Sequence, residues 1–393
     1  MNESWWVHPY QLDDDQKKAV ALPIDKSYLI TGPPGSGKTN LLLLRATHLC
    51  RSGKPNVLIL VFTRTLREFL CSGEHNYAFG ADKIKTIASW AASFLKEYGI
   101  EPKTADSFDK QRRLQVAQLR ELVQREKLKC EYDAIILDEA QDCLPEEIEI
   151  FDKLAGVLFV ATDSKQKIYS TKDPLAKIRE LVPNKFELRY HYRNGLKICR
   201  LADALAKHSE LNRNLEETSN YNERKLPSSV EVEQCASVSD QVDKAIVKLT
   251  TQLKAYPEEL LGIVCPTHEE LDKVIKCLRA SRLNRVCVYQ GAEDGYVPFS
   301  KDTMICVCTI HSAKGLEFRA LHVLGLDSIG KFYSYSRNTA FTAVTRAKTS
   351  LTLYHTMGLR PFLESAIVSL QKQPAPPELS ELFKGSSDDK PKD

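Results

Sequence analysis

One short stretch limits the fold of this chain more than any other, Tyr28 to Leu44, which reads YLITGPPGSGKTNLLLL. An apolar run leads into the pattern G-x-x-x-x-G-K-[ST] at Gly32–Thr39, and a helical pattern follows it. A strand, a glycine-rich loop and a helix in that order hold phosphates on backbone N–H groups at the helix N-terminus. The stretch therefore predicts an α/β domain that binds a nucleoside triphosphate.

The residues of this phosphate loop have distinct expected tasks. The glycines let N–H groups face the phosphates, Lys38 reaches the β and γ oxygens, and Thr39 ligates Mg²⁺. The expected nucleotide contacts in the loop are Gly32, Gly35, Gly37, Lys38 and Thr39.

A second motif, YDAIILDEAQD at Tyr132 to Asp142, supplies acidic groups. Its apolar strand delivers Asp138 and Glu139 at the carboxyl end, where open parallel sheets bind their ligands. Asp138 is suited to hold Mg²⁺ through a water molecule, and Glu139 to orient or deprotonate the attacking water. The two motifs together predict an ATP-hydrolysing site that uses Mg²⁺.

Short apolar runs alternate with helical patterns along most of the chain, which favours parallel sheets covered by helices on both faces. We place the join between two domains near Pro183, where ELVPNK interrupts a helix before a new strand. The expected division is a first domain over 1–183, a second over 184–365, and a disordered tail over 366–393 that is rich in proline, serine and charge.

Composition narrows the partners. A formal net charge of +3 gives no broad basic surface, so nucleic acid, if it binds, must bind in a local groove. The eleven cysteines contain no CxxC pair and are expected to be core residues in a reducing cytosol. No apolar run reaches about 18 residues, so we expect a cytoplasmic protein without a membrane partner.

Eight segments in a fixed order give the sequence a specific resemblance. They are LDDDQKKAV, VFTRTL, KTIASW, DEAQD, ATDSKQKIY, LRYHYRN, TIHSAKGLEF and AFTAVTRAK. Each is weak alone, but the ordered set resembles the Q motif and motifs Ia, Ib, II, III, IV, V and VI of superfamily 1 helicases of the UvrD/Rep type. The resemblance implies two RecA-like P-loop NTPase domains with ATP in the cleft between them.

The resemblance also assigns nucleotide-site roles by position. It implies that Gln16 reads the adenine, that Tyr192 stacks on it, and that Gln166 lies near the γ-phosphate. Arg193 and Arg346 would approach the γ-phosphate from the second domain, which would make hydrolysis depend on domain closure. Further implied nucleotide contacts are Gly315, Glu317 at the ribose, and Asn40, where the family often has an arginine over the adenine.

Nucleic acid is expected across the tops of both sheets. The matching positions are Phe62, Thr63, Arg64, Thr86, Trp90, Tyr169, His311 and Ser312. Aromatic rings can stack on bases, while hydroxyls and N–H groups hold phosphates. Trp90 and Tyr169 could equally be core aromatics.

The chain departs from the family in ways that bear on function. Motif III is followed by STKDP instead of an aromatic, an arginine and a glycine, so one base-stacking step is missing. Only 47 residues span Ala91–Leu137, enough for a helical remnant at about 91–130, and the 115 residues of Asn194–Cys308 leave no room for a second inserted domain. We interpret the basic helix from Lys110 to Lys129 as a solvated face; the less favoured interpretation is that it contacts the nucleic-acid strand.

These features predict an ATP-dependent translocase or helicase on single-stranded DNA, with RNA left open and a 3′ to 5′ direction implied by the resemblance. The alternative is a nucleic-acid-gated ATPase that regulates a nuclease or another protein subunit, similar to the helicase subunits of anti-phage Gabija systems. A P-loop switch that binds no nucleic acid would leave motifs Ia, Ib and V without a purpose. Oligomeric state has no signature in the sequence.

Overall fold

Two mostly parallel sheets form the framework of the protein. The computed structural model describes residues 5–7, 9–163, 174–206, 214–292, 295–329 and 336–371. The first sheet has six strands in the order β3-β2-β4-β5-β1-β6, all parallel. Its strands are β1 Tyr28–Thr31, β2 Val57–Val61, β3 Ile84–Thr86, β4 Tyr132–Leu137, β5 Ala155–Thr162 and β6 Asn184–Glu187.

The second sheet has seven strands in the order β10-β9-β11-β8-β12-β13-β7, and only β10 runs antiparallel to its neighbour. Its strands are β7 Ser229–Gln234, β8 Leu261–Cys265, β9 Cys287–Ala292, β10 Gly295–Tyr296, β11 Ile305–Thr309, β12 Phe318–Val323 and β13 Ala347–His355. Central strands such as β8 and β11 are buried along their whole length, as expected of parallel strands with both faces covered.

Helices cover both sheets. Those of the first domain are α1 Asp14–Val20, α2 Lys38–Arg51, α3 Arg64–Ser72, α4 Ile87–Glu97, α5 Phe108–Arg125, α6 Pro145–Leu154 and α7 Leu175–Leu181. Those of the second are α8 Leu196–Leu205, α9 Val238–Ala255, α10 His268–Arg279, α11 Ser336–Val344 and α12 Pro361–Gln371. The predicted α/β class with two helix-covered parallel sheets is confirmed.

The join between the domains lies later than Pro183. Strand β6 follows that proline but pairs with β1, with Tyr28 opposite Asn184, so it completes the first sheet. The chain crosses over between Glu187 and α8, which packs on α11 and α12. Helix α12 runs to Gln371 with Leu363 and Ala366 buried, so ordered structure also continues past the expected boundary at 365.

Neither domain carries a large insertion in the part of the chain that the structure describes. The segment between β3 and β4 holds α4 and α5, which pack on each other and, through α5, on α6. The described residues between α8 and β11 supply only β7 to β10 with α9, α10 and the short 3-10 helix Arg282–Val286. None of the described helices is long and apolar enough to cross a membrane.

Candidate nucleotide cleft and nucleic-acid groove

The phosphate loop has the geometry that its sequence predicts. Gly35 and Gly37 have φ of 80° and 83°, a region that a residue with a Cβ rarely adopts. A Cβ on Gly35 would also lie 2.6 Å from the Cβ of Arg193. Lys38 begins α2, and its Nζ donates to the carbonyls of Gly32 and Pro33 at 2.8 and 3.0 Å. The loop is thus preformed around the ammonium group.

The two predicted Mg²⁺ ligands lie side by side. The Thr39 hydroxyl donates to Oδ2 of Asp138 at 2.7 Å, so two hard oxygen ligands converge at the ends of α2 and β4. Burial and the neighbouring charge of Glu139 raise the pKa of Asp138 to about 6. One or two protein oxygens plus phosphates and waters form the usual Mg²⁺ shell at such sites, so this pair fits the ion.

Glu139 is held in a strained backbone conformation beside these ligands. Its φ is 52°, uncommon for a residue other than glycine and typical of functional positions. Gln141 Nε2 donates to its carboxylate, and Lys314 Nζ lies 3.5 Å from the same oxygen. Burial alone would raise the pKa of Glu139, but Lys314, Arg346 and Lys38 outweigh it and lower that pKa. The Glu139 carboxylate is therefore negatively charged and held in a fixed orientation by Gln141 and Lys314.

Two arginines close the cleft from the other side. Arg346 is 1% exposed, with Nε and Nη1 donating to the carbonyls of Thr342 and Leu316 at 3.2 and 3.4 Å. Its Nη2 has no acceptor among the residues that the structure describes. Burial and the charge of Arg193 lower the pKa of Arg346 to about 10, which leaves it charged near neutral pH. Both arginines line one cleft with the phosphate loop, Asp138 and Glu139.

The positions expected at the nucleoside give a mixed result. Gln16 does not line the cleft, because its amide donates to the Ser36 carbonyl at 3.0 Å and accepts from the Asp13 N–H at 3.1 Å. In this structure it braces the phosphate loop instead of presenting a free edge to an adenine. Tyr192 is 38% exposed and donates through its hydroxyl to Asp13, while its N–H donates to the Gly35 carbonyl at 3.1 Å. Its ring thus lies beside the loop.

Glu317, Gly315 and Asn40 all border the cleft. The Glu317 carboxylate, however, accepts from Arg193 and lies 3.8 Å from Lys348 Nζ, so it is committed to cations in this state. Gly315 has φ of 88°, and a Cβ there would lie 2.4 Å from Leu66 of the first domain, which explains why only glycine fits. Asn40 binds the N-terminal segment, as described below.

A separate groove of about 500 Å³ opens across the two domains. Six of the eight expected nucleic-acid residues line it, namely Phe62, Thr63, Arg64, Thr86, His311 and Ser312. The sequence reasoning missed other lining residues, including Phe108, Gln111, Gln115, His268 and Tyr296. Phe108 is 52% exposed, and Tyr296 lies under the guanidinium of Arg64, 5.5 Å from ring centroid to Cζ. One exposed ring, the half-buried rings of Phe62 and Tyr296 and the exposed cation of Arg64 are suited to a single strand.

Two of the threonines in this groove are helix caps. Thr63 accepts from the Leu66 N–H at 3.2 Å, and Thr86 accepts from the Ser89 N–H at 3.1 Å. Both therefore hold the N-termini of α3 and α4 at the groove wall. Ser312 is held by local bonds as well, because its N–H donates to the Thr309 hydroxyl at 3.1 Å and its own hydroxyl accepts from Thr309 at 3.0 Å. Burial and the charge of Lys314 lower the pKa of His311 to about 4, so this ring is neutral near pH 7.

Trp90 is a core residue and not a groove residue. It is 1% exposed, stacks on Phe94 at 5.3 Å, and donates its indole N–H to the Tyr132 hydroxyl at 3.1 Å. One turn into α4, its side chain points between the helices and the sheet, so the expectation that it contacts a base is wrong. Gln166 and Tyr169 lie outside the described residues.

The basic helix α5 divides its charges. Arg113, Arg120 and Arg125 are exposed, as a solvated face predicts. Arg112 is buried, pairs with Glu147 through two hydrogen bonds, and lies over the ring of Phe62 at 5.1 Å. Its Nη2 also donates to the Asp142 carbonyl at 3.1 Å, so it stiffens the groove wall.

A buried lysine was missed by the sequence reasoning. Lys314 is fully buried, and its ammonium bonds Asp142 and lies near Glu139, both on the other domain. Its only sequence signal was its place inside TIHSAKGLEF, because its acidic partners Asp142 and Glu139 lie more than 170 residues earlier in the chain. The sequence analysis also assigned no role to Gln141 and Asp142 of DEAQD, which contact Glu139 and Lys314 respectively.

Comparison with known proteins agrees with this geometry. Residues 16–172 match the family model of an AAA domain, and residues 304–354 match the UvrD-like helicase C-terminal domain. None of the curated proteins matches the chain. Among solved structures, the C-terminal domain of a possible DNA helicase from Lactobacillus plantarum WCFS1 is 20% identical, with a TM-score of 0.32. The match covers 46% of this chain and 96% of that one. The two family matches follow each other in the order of the motifs, and together they support the resemblance of the chain to UvrD-like helicases of superfamily 1.

Proposed function

We propose that this protein is an ATP-driven translocase on single-stranded nucleic acid that moves 3′ to 5′. The observation that carries the proposal is the loop between β11 and β12. Its residues His311 and Ser312 line the groove, while Gly315 and Glu317 line the nucleotide cleft. Between them, Lys314 reaches Glu139 and Asp142 of the first domain. A single loop thus connects strand contact with the catalytic carboxylate.

The cleft residues support ATP hydrolysis coupled to closure. Lys38 and the loop amides bind the phosphates, and Thr39 with Asp138 would hold Mg²⁺, which neutralises phosphate charge. Glu139 accepts a proton from the attacking water. Arg346 and Arg193 supply positive charge where it develops at the γ-phosphate. Because Arg346 belongs to the second domain, hydrolysis requires the domains to be closed, and product release would let them open.

The groove supports a strand held more by stacking than by charge. Phe62, Phe108 and Tyr296 offer rings, which stack on any base with about 1–3 kcal/mol per base. Arg64 is an exposed cation of the lining, whereas Arg112 is neutralised by Glu147. A strand held in this way can be released and rebound during stepping.

A second candidate is a nucleic-acid-gated ATPase that switches a nuclease or another protein partner. The described parts of both domains lack an inserted domain. The larger helicases that this chain resembles carry such domains, so their absence favours the second candidate. A motor of this kind would hydrolyse ATP on a strand yet unwind duplex poorly.

The first experiment is the ATPase rate without polymer, with single-stranded DNA, with single-stranded RNA and with blunt duplex, each at two salt concentrations. Strong stimulation by one single strand supports a strand-coupled ATPase, and indifference to every polymer refutes it. Displacement of streptavidin from the 5′ end of an oligonucleotide, but not from the 3′ end, would support 3′ to 5′ translocation. Stimulation without displacement from either end favours the gated ATPase.

A matched pair of variants tests the groove. Phe108→Ala removes an exposed ring from the lining and should raise the strand concentration that gives half-maximal stimulation by roughly tenfold. Tyr98→Ala removes a ring of the same domain that does not line the groove and should leave that concentration unchanged. Equal effects of the two variants would remove the groove from the proposal.

A further inference from the structure

The N-terminal segment before α1 is fastened to the nucleotide-binding helix. Asn40 is the third residue of α2, and its amide nitrogen donates to the Trp5 carbonyl at 3.0 Å. Its amide oxygen accepts from the Val7 N–H at 3.4 Å. One side chain therefore fixes a short strap against the first turn of the helix that follows the phosphate loop.

The two adjacent tryptophans of this strap differ in their surroundings. Trp6 stacks on Phe69 at 5.4 Å with the rings 8° apart and meets Tyr77 edge-on, as expected of an anchor in the core. Trp5 packs edge-on against Phe69 at 5.0 Å and lines the nucleotide cleft together with Lys38, Thr39 and Arg346. Trp5 also meets Trp6 edge-on at 4.6 Å, so its indole both helps to anchor the strap and borders the cleft.

The indole N–H of Trp5 is buried without a partner. Trp5 is 3% exposed, and its Nε1 has no hydrogen-bond acceptor among the residues that the structure describes. Buried donors in folded proteins are nearly always paired, so an unpaired donor at the wall of a ligand cleft calls for an acceptor on the ligand. An indole offers only a donor, which selects an oxygen or a ring nitrogen.

We propose that Trp5 donates its indole N–H to an acceptor on the nucleoside part of the bound nucleotide. This inference rests on the proposed function, because it requires the cleft to bind ATP. Lys38, Glu139 and Arg346 mark the γ-phosphate end, and the loop amides serve the α- and β-phosphates. The Trp5 carbonyl accepts a hydrogen bond from Asn40, which follows the last phosphate-loop residue, Thr39. Because the phosphates already have donors, the nucleoside is the part of the ligand that Trp5 is left to bind.

The direct test is tryptophan fluorescence without nucleic acid. The chain has three tryptophans, and Trp90 is a constant background because it is bonded to Tyr132 in the core. Trp6→Phe keeps Trp5, so its emission should change on addition of Mg-ATP. Trp5→Phe keeps Trp6, so its emission should stay unchanged. Inorganic tripolyphosphate, which has no nucleoside, should leave the emission of Trp6→Phe unaltered.

Affinity provides a second measurement on the same two variants. Trp5→Phe retains the packing on Phe69 but loses the N–H, so the Kd for ATP should rise roughly 3- to 10-fold, the usual worth of one hydrogen bond. The Kd for tripolyphosphate should not change, and Trp6→Phe should bind both ligands like the wild type. Thermal melts without nucleotide identify any loss of folding. If Trp5→Phe does not fold, the fluorescence of Trp6→Phe decides alone.

Several outcomes overturn the inference. One is equal ATP affinity in both variants. Another is tighter ATP binding by Trp5→Phe, which would mean that the Trp5 side chain obstructs the cleft. A third is a Trp5 emission in Trp6→Phe that does not change when Mg-ATP is added. A response to tripolyphosphate equal to that for ATP overturns the assignment to the nucleoside. ATP binding that leaves Trp5 silent defeats this inference alone, whereas no ATP binding by the wild type defeats the proposed function as well.

Discussion

Replacing Arg346 by alanine tests whether the second domain completes the catalytic site. Arginines of this kind contribute about 10³- to 10⁵-fold to the rate, so kcat should fall at least about 10³-fold, or about 4 kcal/mol of transition-state stabilisation. ATP affinity should change little, because Lys38, Thr39 and the loop amides that bind the phosphates belong to the first domain.

The structure indicates why lysine should not rescue the site. Two nitrogens of the Arg346 guanidinium are spent on the carbonyls of Thr342 and Leu316, and a third remains unpartnered in the part of the chain that is described. The group is therefore positioned before the ligand arrives, at no cost during the reaction. A lysine ammonium cannot reproduce this planar fork. The kcat of Arg346→Lys should therefore exceed that of Arg346→Ala by less than about tenfold.

The control must lose a comparable arginine outside the cleft. Arg319 lies in the same domain, has 13% of its side chain exposed, pairs with Glu259, and donates to Thr349 at 3.0 Å. Arg319→Ala should lower the melting temperature yet keep kcat within about twofold, because it touches neither cleft nor groove.

The assay is steady-state ATP hydrolysis with saturating single strand, paired with equilibrium binding of ATP to each variant. A fall in kcat below tenfold for Arg346→Ala, in a protein that melts like Arg319→Ala, would refute the reasoning. The γ-phosphate would then be served by the first domain alone, and closure would not control hydrolysis.

Three further predictions use other parts of the molecule. Glu139→Gln keeps the shape beside Gln141 but removes the carboxylate, so ATP should still bind while hydrolysis is lost; measurable turnover in single-turnover assays would exclude Glu139 as the base. Arg64→Ala removes an exposed cation of the groove, so the slope of log Kd against log salt for single-stranded DNA should shrink by about 0.7, and an unchanged slope would mean that Arg64 contacts no phosphate. Burial lowers the pKa of His322 to about 3, below its unfolded value of about 6.5. The unfolded chain therefore binds more protons as pH falls, and this group should cost about 1.6 kcal/mol of stability between pH 6.5 and 5. Urea unfolding at pH 6.5 and 5 measures the free energy of unfolding of the wild type and of His322→Gln. The variant should lose less of this free energy than the wild type, by the amount given above. Equal losses in the two proteins would contradict the lowered pKa of His322.

Much of the nucleotide site could be predicted from the sequence, because its chemistry is encoded locally. A strand, a loop with glycines at positive φ and a helix beginning at Lys38 are fixed by neighbours in the chain. Asp138 at the end of β4 follows equally from one apolar run. In such segments backbone geometry and side-chain role are set within about ten residues.

The errors arose where a residue's environment depends on distant segments. Trp90 stands within a motif, but the packing of α4 on the core buried it. Pro183 ended a helix as expected, yet the strand after it joined the first sheet because β1 had an open edge. Gln16 shows the same dependence, since α1 brings its amide against the phosphate loop, and its contact with the adenine stays a prediction. Local pattern gives the element and leaves open what it packs against.

By itself, the sequence determined that the chain would form two helix-covered parallel sheets and carry a phosphate loop with an acidic partner. Only the tertiary structure placed Arg346, Gly315 and Lys314 against that site, and only it set Trp5 beside the cleft. The physical reason is that local hydrogen bonding and apolar periodicity specify elements, whereas the charges and donors that complete a site are brought together by packing across more than a hundred residues.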